Sequence, residues 1–212
     1  MAYHHGDLRR ALLQGAIELL AEGGPSHLTM RGAAQRAGVS SAAPYRHFAD
    51  KREMLAAVAE EGFLALERAC LAAAADAEGP LDSFWRRGLA YVKFAIENPA
   101  HYRVMFGPEI PDKRAYDGLH GAAMTAFGAL GSVLRECSEA GLFADDEIEK
   151  RAMRAWGLVH GLASLYIDGQ FNNGGAPTRE EFLDRVSEVL RLEARVFENG
   201  PDGLSSRRDP AV

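Results

Sequence analysis

The chain reads as an all-helical protein in two parts, a small head of short helices followed by a larger helical bundle. Three observations predict this. Alanine, leucine, glutamate and arginine dominate while valine, isoleucine and threonine are sparse, a balance that favours helix over strand. Apolar residues recur at three- and four-residue spacing along most of the length. Glycine, proline and asparagine fall between those stretches as punctuation, and no strand-period alternation or internal repeat persists.

The first helix is signalled by Asp7 as N-cap and by Leu8, Leu12, Ala16, Leu19 and Leu20, and Gly23-Gly24-Pro25 stops it. A second, short helix is predicted over 29–37, with Thr29 as N-cap and Gly38 just past its end. A third comes at once, from Ser40 to Phe48. Asp50 and Glu53 form a capping box that opens a long fourth helix to about Ala77, where Gly79-Pro80 breaks the pattern. Five more are predicted at about 81–97, 99–106, 116–140, 145–171 and 178–198, nine in all. Their separators are Asn98-Pro99, Gly107-Pro108, Pro111, Gly141 and Asn172-Asn173-Gly174-Gly175. The organisation expected is a head at 1–50, a helical domain at 51–199, and a disordered tail at 200–212, where Gly, Pro, Ser and charge accumulate.

At 212 residues with 47% hydrophobic content, the chain can bury a core without covalent staples. Cys70 and Cys137 lie far apart inside helical patterns, so a disulfide framework is not expected and a reducing cytoplasm fits. No apolar run has the length of a signal peptide or a membrane span, so the expectation is a cytoplasmic protein without a membrane partner. Enzymatic motifs are missing: there is no Gly-x-Ser-x-Gly elbow, no phosphate-cradling glycine loop and no His-Glu-x-x-His helix. His101, His120 and His160 sit on separate predicted helices, and the adjacent His4 and His5 diverge with no cysteine near. No catalytic residue, metal or cofactor is therefore expected.

The net charge of −6 argues at first against a nucleic-acid partner. Division of the chain changes that. Residues 1–53 hold seven lysines and arginines against five acids, net +2, with four histidines besides, and the remainder carries −8. A basic head on an acidic body fits a DNA-facing unit.

The stretch Leu28 to Ser40 carries the sharper signal. Two helices meeting at a steep angle need small residues at the contact, which Ala33, Ala34 and Ala37 supply. The turn needs a residue tolerant of positive φ, which is Gly38, an apolar plug, Val39, and a serine to start the next helix. This Ala-x-x-x-Gly-Val-Ser spacing is a helix-turn-helix signature, whose second helix enters a major groove. A plain αα-hairpin also favours glycine at its corner. The next residues separate the two: Tyr45, Arg46, His47 and Lys51 bring four hydrogen-bond donors suited to phosphate oxygens around one helix end. A fold-only account explains Phe48 as core and leaves Tyr45, Arg46 and His47 unexplained.

From Thr29 to Leu55, and through the long helix beyond, the sequence resembles the DNA-binding domain of TetR-family transcriptional regulators. The opening Tyr3-His4-His5-Gly6-Asp7-Leu8 is also similar to the start of many members. Trp156-Gly157-Leu158-Val159-His160-Gly161 resembles the tryptophan–histidine–glycine signature of one sensor class within that family. The resemblance implies that Thr29 and Arg31 touch phosphates or neighbouring bases. It implies that Ser40, Ser41, Ala42 and Ala43 form the base-facing start of the recognition helix. Tyr45 and His47 match the phosphate-binding aromatic and histidine, and Lys51 the lysine that opens the fourth helix. Pro44 departs from the pattern: it stands where many members carry a helix former, and removes a backbone donor. A short or irregular recognition helix is expected from it. Arg46 suits a guanine edge, where a bidentate contact is worth roughly 1–3 kcal/mol of discrimination, and suits a phosphate equally well.

The resemblance further implies a dimeric repressor, released from a palindromic operator by a small-molecule effector. Its two recognition helices would stand about 34–36 Å apart. The last two predicted helices are the expected dimer pair, with Gly157, Gly161 and Ala163 permitting close approach and Phe182, Val186, Val189, Leu190 and Val196 forming an apolar stripe. Aromatic and methionine residues at helical spacing are mostly core, yet a pocket inside a bundle is lined by the same types. The candidates for an apolar or aromatic effector are Trp85, Tyr91, Phe94, Tyr102, Met105, Met124, Phe127, Trp156 and His160. His160 comes four residues after Trp156 and shares its helical face; a buried structural pair bonded to a backbone carbonyl is the simpler expectation, a ligand contact the sharper one. The alternative from another class is a helical scaffold or adaptor without sequence-specific DNA binding.

Overall fold

The computed structural model describes residues 5–143, 145–172 and 175–199, with side chains described except at 5–7, 146 and 194–199. Among the described residues there are eight α-helices: α1 (His5–Gly23), α2 (Met30–Arg36), α3 (Lys51–Ala73), α4 (Pro80–Glu97), α5 (Pro99–Phe106), α6 (Asp117–Glu139), α7 (Ile148–Ile167) and α8 (Arg179–Asn199). The side chains of Asp7 and Val196 and the tail at 200–212 lie outside what is described, and α1 starts at His5, two residues before the cap expected at Asp7. Short 3₁₀ turns occupy Pro44–Arg46, Lys113–Ala115 and Asp145–Glu147, and no strand occurs among the described residues. The all-helical class predicted from composition and periodicity is the one observed.

Several helix ends follow the local chemistry closely. Thr29 caps α2, its Oγ1 accepting from the Gly32 amide at 2.9 Å. Beyond Ala37, Gly38 adopts φ +67°, its amide donating to the Gln35 carbonyl while that of Val39 donates to Ala34. Those two bonds make a Schellman motif that satisfies carbonyls otherwise left open at the helix end. Asp50 caps α3 by accepting the Glu53 amide at 2.9 Å, and the Glu53 carboxylate returns to the Ala49 amide.

Other ends differ from expectation for identifiable reasons. The helix predicted to reach residue 171 stops at Ile167, because Gly169 takes φ +69° and a second Schellman motif closes on Leu165 and Tyr166. The helix predicted to reach Ala77 gives way after Ala73 to tighter three-residue bonds from Ala74, Ala75 and Ala77. The helix predicted over Ser40–Phe48 is replaced by a turn and the single 3₁₀ turn Pro44–Arg46.

Two compact units emerge. The first comprises the chain up to Ala65 together with Asn98–Ala126, and the second comprises Leu66–Glu97 and the chain from Phe127 onward. In the first, α1 and α2 pack at a glycine contact: a Cβ at Gly15 would lie 2.8 Å from the Arg36 Cβ and 2.9 Å from the Ala33 carbonyl oxygen. Leu12, Leu13, Ala16, Leu20, Leu28, Met30 and Phe48 are buried around that contact. The first half of α3 and α5 supply a further layer, where Phe106 meets Phe63 edge-on at 5.5 Å and Tyr102 at 5.1 Å. In the second unit, α4 packs on α7 and α8; Gly88 faces Leu190 and Val159, with room for no more than ordinary contact. Phe182 stacks on Tyr166 at 4.3 Å and adjoins Phe171, tying α8 to the end of α7.

Candidate nucleic-acid interface and aromatic cluster

The Schellman turn at Gly38 turns the chain sharply away from α2 and leaves the next residues outward. Ser40, Ser41, Ala42, Tyr45 and Arg46 are exposed, Ala43 and His47 half-buried, and Pro44 and Phe48 buried. Tyr45 is 58% exposed, high for an aromatic side chain. The segment is thus anchored at Pro44 and Phe48 and presents hydroxyl, phenol and guanidinium groups to its surroundings.

Flanking groups complete the surface. Thr29 and Arg31 are exposed at the start of α2, and Lys51 is half-buried at the start of α3. Because the Thr29 oxygen accepts from Gly32, its hydroxyl hydrogen is left to donate outward. Asp50 and Glu53, at the start of the same helix as Lys51, each accept a backbone amide at the cap. Every residue expected to contact DNA lies in the first unit, and each is exposed or half-buried, on the Ser40–His47 loop or its two flanks.

Two cations of this unit were given no role by the sequence. Arg36 pairs with Glu22 at 2.8 Å and Glu18 at 3.3 Å, and those hydrogen bonds, Glu22 foremost, hold its pKa above the usual value. It ties α2 to α1. Arg9 lies over the Phe48 ring at 5.4 Å, beside His47, and so brings α1 to the edge of the same surface. No sequence signal marks either pairing, since both partners are remote along the chain.

The nine residues expected to line a pocket do not all converge. Tyr91, Phe127, Trp156 and His160 form one connected cluster in the second unit. The Tyr91 hydroxyl stands 2.9 Å from His160 Nδ1, the His160 ring is 5.4 Å from Trp156, and Trp156 meets Phe127 edge-on at 5.2 Å. Burial holds the His160 imidazole below its ordinary pKa. Its Nδ1 partner is a phenol, where a backbone carbonyl was the simpler expectation. Trp85 turns to α8, donating Nε1–H to the Ser187 carbonyl at 3.5 Å with Arg191 over its ring at 5.3 Å. Phe94 is buried on α4. Tyr102 and Met105 are buried in the first unit, where Gly62 makes room for the Met105 sulfur, and Met124 is exposed there.

His101, also in the first unit, has a buried Nε2 without a hydrogen bond; Glu61 Oε1 stands 3.8 Å away. Burial lowers its pKa against the opposing pull of Glu61. No group of three or more metal-ligating side chains occurs among the described residues. No described helix is long and apolar enough to cross a membrane.

Comparison with known proteins places both halves of the chain. Residues 12–58 match the bacterial regulatory proteins of the tetR family, and residues 85–190 match the tetracyclin repressor-like C-terminal domain. Among curated proteins none matches in sequence. A solved structure of a protein of unknown function from Rhodococcus sp. RHA1 is similar at 32% identity and TM-score 0.77, covering 94% of this chain and 98% of that one. Two others share the fold at lower identity. PfmR, a TetR family transcriptional regulator from Thermus thermophilus, is 21% identical with a TM-score of 0.66 over 90% of this chain and 98% of its own. FadR, a fatty acid degradation regulator from Bacillus halodurans, is 12% identical with a TM-score of 0.71 over 94% and 98%.

Proposed function

The chain belongs to the TetR family of bacterial regulatory proteins, a family of transcription regulators rather than enzymes, and from that premise we propose that it is a cytoplasmic, homodimeric repressor. It binds a palindromic operator through its N-terminal head and releases it when a small apolar or aromatic effector occupies the helical domain. The observation that carries this reading is the exposed Ser40–Arg46 segment, anchored by buried Pro44 and Phe48 and flanked by Thr29, Arg31, His47 and Lys51. Donors on three consecutive elements suit the backbone of one duplex, while the segment between them suits a groove. The head at 1–50 and the helical domain at 51–199 are the functional division.

Two features support dimerisation through α7 and α8. Met153, Gly157, Gly161 and Leu165 recur every four residues on α7, the methionine 69% exposed and both glycines open to added bulk. Of the stripe expected on α8, Phe182, Val186 and Leu190 are instead buried within the chain, because they pack on α4 and the end of α7, and Leu192 is an exposed apolar residue of α8. The stripe on α7 suits close helix–helix approach by a second copy. The sensor is of the tryptophan–histidine–glycine class, and the linked Tyr91–His160–Trp156–Phe127 cluster supports that assignment. It offers aromatic edges and one imidazole to an apolar ligand. Effector binding lowers operator affinity by the coupling free energy, about 1–3 kcal/mol.

Enrichment of duplexes from a random pool, with native mass spectrometry of the purified protein for a co-purified ligand, tests this reading. One enriched palindrome bound by a dimer is the expected result. A monomer that retains no duplex in preference to any other would refute it.

A further inference from the structure

Pro44 is buried in the head while the two residues after it are exposed. Proline has no amide hydrogen, so the Ser40 carbonyl, which a regular helix would pair with residue 44, instead accepts from the Ala43 amide at 2.9 Å. Three-residue bonds continue beyond it, from Arg46 to the Ala43 carbonyl at 3.2 Å and from His47 to the Pro44 carbonyl at 2.9 Å. Phe48 then closes on the same Pro44 carbonyl at 2.9 Å. In a 3₁₀ turn residues i and i+3 eclipse, which sets His47 in line with the buried Pro44 and leaves Tyr45 and Arg46 outward. The observed burial of each residue agrees with that phase.

We propose that Pro44 is a positioning residue for base reading: it divides the recognition segment into a serine turn, Ser40–Ala42, and a separate tip, Tyr45–Arg46, and so sets which base pair the tip meets. The inference rests on the DNA-binding reading above. A residue with an amide at position 44 lets the Ser40 carbonyl pair in the α register and the segment wind as one helix. The rise then drops from about 2.0 to about 1.5 Å per residue and the turn per residue falls by about 20°. Tyr45 and Arg46 rotate relative to Ser40–Ala42. Thr29 and Lys51 stand on other elements and keep their place. A purely structural role for Pro44 would weaken all duplexes alike; a positioning role alters which duplex is preferred.

The experiment uses the full chain with Pro44→Leu, Pro44→Ala and, on the intact proline, Ala42→Gln and Arg46→Ala at exposed sites. Each is offered a random duplex pool, and the enriched duplexes and an unrelated one are titrated at several salt concentrations. For the Pro44 variants the expected result is an altered preferred half-site. The original duplex should weaken about tenfold relative to the variant's own, with the salt slope and the unrelated duplex unchanged. Ala42→Gln, which keeps the segment divided, is expected to alter preference at a different base pair from Arg46→Ala. An unchanged half-site in Pro44 variants that fold, or Ala42→Gln and Arg46→Ala acting at one base pair, overturns the inference alone. If the unsubstituted chain enriches no duplex, the regulatory reading falls and this inference with it.

Discussion

The hydroxyl of Tyr91 on α4 and Nδ1 of His160 on α7 stand 2.9 Å apart, joining two helices of the second unit through one polar contact. The contact is part-buried and adjoins the Trp156 ring, so water competes with it weakly. Tyr91→Phe removes the phenol and leaves the imidazole without that partner. A loss of roughly 1–2 kcal/mol of stability is expected, read as a lower urea midpoint with an unchanged slope. If the variant is as stable as the parent, the contact contributes nothing to the fold.

Two half-buried imidazoles give the stability a pH dependence of defined sign. Burial holds His101 and His160 below the ordinary value of 6.5, so the folded chain resists their protonation. Below that value the unfolded chain binds protons that the folded one does not. Their contribution is therefore complete above about pH 6.5 and is lost as pH falls toward the lowered folded values. Thermal scans should show Tm falling from about pH 7 to about pH 5, and falling less steeply in His101→Gln and His160→Gln. An identical pH profile in both variants would contradict this.

The glycine contact between α1 and α2 sets the geometry of the head. A methyl at Gly15 meets the Arg36 Cβ and the Ala33 carbonyl well inside contact distance, and neither is the free end of a flexible chain. Gly15→Ala should cost about 1–3 kcal/mol by forcing the helices apart. Gly38→Ala, at φ +67° with open space around it, should cost roughly 1–2 kcal/mol from backbone strain alone. Calorimetric Tm values separate these from a control such as Gly121→Ala, which adds a methyl in open space.

Both thiols should be unreactive in the folded chain. Burial pushes Cys70 and Cys137 up to about 11, and the Cys70 sulfur lies 3.6 Å from the Arg87 carbonyl oxygen. The thiolate is the reacting species, so a thiol reagent at neutral pH should label neither until the chain is unfolded in urea. Rapid labelling of the native chain would show that one of the two is more accessible than its surroundings suggest.

Much of the fold was legible because its signals are local. Thr29, Gly38, Asp50 and Glu53 act within a few residues of themselves, and each does in the structure what its chemistry requires. Pro44 announced an irregular recognition segment, and the outcome is a 3₁₀ turn in place of a helix. Ends such as Ile167 were overrun because apolar spacing continues through Phe171 while the decisive event is a single positive φ at Gly169. The outward placement of Tyr45 and Arg46 was legible because a phenol and a guanidinium beside Phe48 serve no core. Partners remote in sequence were not legible: Arg36 with Glu18, Arg9 with Phe48, Tyr91 with His160. Periodicity shows that Tyr102, Met105, Tyr91 and His160 face inward, and nothing in it shows that the first two lie in one unit and the last two in the other.

The most direct test is a titration of the intact chain against its enriched duplex and a scrambled copy of it, at several salt concentrations. Affinity about a thousandfold or more greater is expected for the enriched duplex, with log affinity falling linearly in log salt and Arg46→Ala or Tyr45→Phe reducing it. Equal affinity for both duplexes, untouched by either substitution, would contradict the regulatory reading.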